Sequence, residues 1–180
     1  MYHALVHCLL HRLGSCCGRS LTAVRWAGEY VAARRHCFFT WDERGPIPEV
    51  RVDEFKAVVH ALCRLVGARV IAVTERSVTP NFHQAVLQWR QRDVAILCNS
   101  TLPLLAFAEP PVACGELIFC DHPELCSALA SLGGYETFPA AELERSVSPT
   151  DLSHLDAVER EHASYWMPQR IGDLVFNWWD

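Results

Sequence analysis

Between Phe82 and Cys120 the chain alternates apolar runs with gaps too short to hold a helix, and that spacing limits the folds open to it. FHQAVLQWR alternates apolar and polar residues, with Phe82, Val86 and Trp89 as inward positions; Arg92-Asp93 then leads into VAILCN, and PLLAFAE and ELIFC follow. The links at Asn99 to Pro103 and Pro110 to Gly115 carry turn-forming residues. A parallel return needs a crossover of a dozen or more residues, so successive strands here must come back antiparallel, as a meander.

Helices frame this sheet. From Asp53 to Val66, Phe55, Val58, Val59, Leu62, Leu65 and Val66 repeat at helical spacing, with Asp53 as N-cap and Gly67 just past the end. ARVIAVTE follows as a buried strand. DHPELCSALASLGG predicts a second helix, with Asp121 and Glu124 as a capping box, Pro123 in the first turn and Gly133-Gly134 as the stop. YETF reads as a short strand. Ser148-Pro149-Thr150-Asp151 opens a third helix with Ser148 as cap and Asp151 as the reciprocal acid. Its apolar stripe is Leu152, Leu155 and Val158, and Asp156, Glu159 and Glu161 form an acidic, solvated side. In the first fifty residues, Leu5, Val6, Leu9, Leu10 and Leu13 share a helix face, and HCFFTW reads as a strand stopped by a turn at Asp42 to Pro46. The predicted class is α+β: a mainly antiparallel β-meander with three or four packed helices. It forms one domain over 1–180, in which 1–20 can be a loosely attached segment.

Composition closes off several functions. With 51% apolar and 21% charged residues the chain is globular rather than disordered. A net charge of −5, with one lysine and scattered arginines, gives no nucleic-acid footprint. No apolar run reaches membrane-spanning length, and the N-terminus lacks the basic start and small-residue cleavage site of a secretory signal. Nine cysteines without a CxxC pair, several of them inside apolar segments, behave as small hydrophobes in a reducing compartment. A cytoplasmic protein is expected, and no motif calls for a cofactor.

Three groups of residues invite chemistry. His3, His7 and His11 recur every four residues, which is metal-ligand spacing, yet they also flank a leucine face where polar residues are needed; the flank is the preferred reading. Cys98, at a strand end before Asn99-Ser100-Thr101, resembles a nucleophile with His83 or His122 as base. A hydrolase elbow needs flanking glycines and a following helix, and both are missing, so this reads as a turn. Cys120-Asp121-His122 places a thiol at a helix N-terminus, but the adjacent carboxylate raises a thiol pKa, and each residue has a structural role as strand end, cap or first turn. The alternative these leave open is a small thiol-dependent hydrolase or transferase using Cys98 or Cys120.

The last stretch, YWMPQRIGDLVFNWWD, holds three of the six tryptophans. Chain ends are usually polar, so this one either plugs the fold or meets a partner. Ile171, Leu174, Val175 and Trp178 share a helical stripe, with Phe176 and Trp179 outside it; Pro168 pushes the residue before it toward extended backbone. As a plug it would be held by aromatic burial; as a contact surface, Arg170 and Trp179 are its anchors, with Asp156 and Glu159 on the acidic helix facing a basic partner.

The ending W-x-P-x-R-I-G-D-L-V-F-N-W-W-D resembles the close of small, stand-alone actinobacterial proteins, some of them similar in size and layout to immunity proteins of polymorphic toxin systems. The resemblance covers the tail only, brings no catalytic motif and carries over no functional residue. It implies a non-catalytic protein-binding module, an immunity protein that binds and inhibits a toxin domain.

Overall fold

A computed structural model describes residues 41–42, 45–46, 49–112, 116–155 and 157–179. A two-stranded hairpin, β1 (Trp41–Asp42) with β2 (Gly45–Pro46), forms at the expected turn. Five further strands make one sheet in chain order: β3 (Arg69–Thr74), β4 (Phe82–Trp89), β5 (Arg92–Asn99), β6 (Leu104–Ala108) and β7 (Glu136–Thr137). The first four pair antiparallel, as the short links require; β7 returns after a helix and lies parallel to β6. The fold is α+β.

The apolar runs VAILC and LLAFA are continuous rather than alternating because both faces of the sheet are covered. Ala85, Leu87, Val94, Ile96, Leu105 and Phe107 face α1 (Val52–Val66) and α2 (Pro123–Leu132). Phe82, Ala95, Leu97, Leu104 and Ala106 face the C-terminal third of the chain. There lie α3 (Ala140–Leu143), α4 (Pro149–Ser153), α5 (Ala157–Trp166) and α6 (Ile171–Val175). Each fully buried large apolar side chain stabilises the fold by ~1.5–3 kcal/mol, so the two clusters dominate its energetics.

Several local expectations change under tertiary competition. Arg51 rather than Asp53 precedes α1, and Asp53 pairs instead with Arg51 at 3.5 Å; Gly67 does end the helix, at φ 67°. β3 is an edge strand among the described residues, with Ile71 exposed and a bulge between Val70 and Ala72, so it is not buried. ELIFC contributes only a single bridge, Phe119 to Ala108. The turn after β4 lies at Arg90-Gln91, both at positive φ. Asp121 does not cap α2: its Oδ1 accepts from the Ala140 N–H at 2.9 Å, capping α3, while Glu124 binds Arg90. Ser148 and Asp151 do form their reciprocal cap, 3.3 and 2.8 Å long.

The predicted third helix is two. It breaks after Ser153 and resumes at Ala157, and the inward positions Leu155, Glu159 and Ala163 recur every four residues: Glu159 is 1% exposed, while Val158, expected in the stripe, is 51% exposed.

Candidate functional site

Cys98 and His83 sit opposite each other on β5 and β4, so the sheet register does bring a thiol beside an imidazole. Neither is available. Arg76 N–H donates to His83 Nδ1 (3.1 Å), so Nε2 holds the proton and donates to Val50 O (2.9 Å). Cys98 is fully buried, donates to the Asn99 carbonyl at 3.6 Å, and burial pushes its thiol far up. Asn99 is the hub of the turn that follows: its Oδ1 accepts from Thr101 N–H, Thr101 Oγ1 and Leu102 N–H, and its Nδ2 donates to Val175 O.

Cys120 and His122 are in contact, Sγ to Nε2 at 3.4 Å, and both are half-buried. Desolvation, with Glu109 and Asp121 nearby, pushes the thiol up to about 11. Burial lowers the His122 pKa, and the ring stands edge-on to Trp89 and Phe107. At neutral pH the thiol is therefore the donor and the imidazole the acceptor, which is the resting polarity and not an activated nucleophile. No group of three or more histidine, cysteine or carboxylate side chains gathers to hold a metal among the described residues.

Arg170 is not a free anchor. Its side chain is 19% exposed and clamped: Nη1 donates to both Glu144 oxygens (3.0 and 2.9 Å) and to Leu117 O (3.2 Å), and Nη2 to Asp173 (2.9 Å). The same motif places Gly172 where a Cβ would overlap the Phe119 ring, so any other residue there would force that buried ring to shift. Phe176 is buried, against the stripe prediction, and Trp178 packs edge-on against Phe82. The tail is a plug.

Its outer edge is different. Trp179 lies parallel to Trp166, 4° between planes and 6.4 Å between centroids, and Tyr165 stands perpendicular to Trp166 at 5.2 Å. Tyr165 is 76% exposed, Met167 69% and Trp166 39%, and Val158 extends the face along α5. Met167 has φ 49°, a left-handed conformation and not the extended one expected before Pro168. It follows α5, with its N–H bonded to Ala163 O, at the position where glycine is the unstrained choice.

No family model, curated protein or solved structure matches the chain.

Of the residues singled out by sequence, this face keeps Trp179, half-buried against the core. Glu159 is a correction: it shares the inward face of Leu155 and Ala163, where it is engaged within the fold, and it offers no acidic surface. Asp156, and His3, His7 and His11, lie outside the described residues. Tyr165 and Met167 were missed. The available signal was a bulky apolar residue directly before a helix-ending proline, where a stop normally takes glycine. No described helix is long and apolar enough to cross a membrane.

Proposed function

We propose that this chain is a non-catalytic protein-binding module whose contact surface is Val158, Tyr165, Trp166, Met167 and Trp179. The observation that carries the reading is Met167, an exposed apolar side chain held at positive φ beside an exposed tyrosine and tryptophan. A left-handed backbone costs an L-residue roughly 1–2 kcal/mol, and a contiguous exposed apolar face adds a solvation cost. Neither contributes to the fold, and covering the face with a partner offsets the second. Tyrosine, tryptophan and methionine are the residues enriched at interface centres.

The tail resemblance supplies the partner class: a bacterial toxin domain, which the chain would bind and inhibit as an immunity protein. With Glu159 inside, the contact is aromatic rather than acidic. The thiol-enzyme alternative loses support from the buried Cys98 and from the elevated Cys120 thiol.

The test is affinity capture from the host lysate with wild type and Tyr165→Arg, read by mass spectrometry. The proposal expects one stoichiometric protein on wild type and its loss on the variant. Equal capture by both, or none by either, contradicts it.

A further inference from the structure

We infer that the aromatic face takes an arginine of its protein partner, the guanidinium stacking on Tyr165 and Trp166 while the Glu161 carboxylate meets its charge. The inference rests on the binding-face reading above and names the chemistry the partner presents to it.

The ring planes are those of an open aromatic cage. Trp166 and Trp179 are parallel, and Tyr165 stands at 84° to Trp166. The face of such a ring is electron-rich and attracts a cation. Elsewhere the fold supplies that cation itself: the Arg90 guanidinium lies 4.4 Å over Trp89, and Arg170 lies 5.8 Å over Phe119. Among the described residues no arginine or lysine lies over Tyr165 or Trp166, although both rings are exposed. The two arginines nearest in sequence are already committed. Arg160 donates to Leu155 O at 2.8 Å, and Arg170 is held by Glu144, Asp173 and Leu117 O.

Charge points the same way. Glu161 is exposed one helical turn before Tyr165, which makes the two side chains neighbours on one side of α5. Its carboxylate makes no ion pair among the described residues, whereas Glu159 is turned inward and engaged. A net charge of −5 favours a basic partner overall. Arginine fits better than lysine. A guanidinium is planar, weakly hydrated and stacks on a ring while its fork still donates to a carboxylate; an ammonium is a compact point charge that keeps its water.

The test is a titration of the ¹⁵N-labelled full chain with N-acetyl-arginine amide, followed through the indole N–H of Trp166, which is assigned by its loss in Trp166→Phe. Saturable movement of that signal is expected, with a dissociation constant on the order of 10 mM. The lysine amide, of equal charge, should bind more weakly. Tyr165→Leu keeps apolar area but removes a ring face, and Glu161→Gln removes the charge. Both positions are exposed, and each variant should weaken binding about two- to fivefold with the melting temperature unchanged. A Trp166 signal unmoved up to about 100 mM, an equal response to the lysine amide, or binding that either variant leaves unchanged overturns the inference. Lysate capture that depends on Tyr165 while arginine amide does not bind overturns the arginine site and leaves the protein-binding reading standing. Arginine binding with no protein captured supports the site and removes that reading.

Discussion

Asn81 and Asn177, 96 positions apart in sequence, hold each other: Asn81 N–H donates to Asn177 O, and Asn177 N–H donates to Asn81 Oδ1, both at 2.9 Å. Both residues are buried, and Asn81 Nδ2 adds a bond to Val175 O at 3.2 Å. This pair fixes the tail to the mouth of the β4–β5 hairpin and so sets where Trp178 and Trp179 lie.

Asn81→Ala leaves the Asn177 N–H buried without its acceptor. An unsatisfied buried donor costs about 1–3 kcal/mol. A urea titration followed by tryptophan fluorescence should show a lower midpoint of that size. A midpoint equal to wild type would mean the tail is held by apolar packing alone.

Acid stability should depend on Asp151. Burial alone would raise its carboxyl, but the hydrogen bonds from Arg145 and Ser148 outweigh it and hold the pKa at about 2. The folded value lies below the ordinary carboxylate value, so the contribution is complete above about pH 4 and is lost as pH falls toward 2. Its size is on the order of 2 kcal/mol. Asp151→Asn should lose that stability at neutral pH and flatten the stability curve between those limits. A parallel loss across the whole range would assign the effect to packing instead.

The parts of the fold that were legible in the sequence are those set by neighbours in the chain. Ser148 and Asp151 found each other because both lie in one turn, and the meander followed from link length. Glu159 was misplaced because its charge was weighed above its spacing: at i+7 from Leu152 and i+4 from Leu155 it falls on the inward stripe, and Val158, at i+6 from Leu152, falls off it. Asp121 was assigned to its own helix although the Ala140 N–H, distant in sequence, competes for it. Whether β3 sits at the centre or edge of the sheet depends on which strands pair with it, and six residues of pattern do not encode that. The aromatic tail was legible as unusual, but the division between its buried plug and its exposed edge is tertiary.

Thiol reactivity discriminates the binding reading from the enzymatic one. With the Cys120 pKa at about 11, only ~10⁻⁴ of this thiol is ionised at pH 7. Iodoacetamide labelling of the native protein, with sites mapped by peptide mass, should be slow at Cys120 at neutral pH and rise steadily to pH 10. It should be absent at Cys98 until the protein unfolds. Fast labelling of either at pH 7 would put the alternative, a thiol hydrolase or transferase, ahead of the binding reading.

The most direct measurement uses the double variant Tyr165→Ala/Met167→Gly. It removes the two most exposed side chains of the aromatic edge while giving the helix end the residue its backbone prefers. The account predicts that this variant melts no lower than wild type, with a gain of up to about 1 kcal/mol from the relieved φ, yet fails to retain the protein that wild type captures from lysate. Because it is at least as well folded, that loss can come only from the surface. A double variant that captures the same protein as well as wild type would contradict the account.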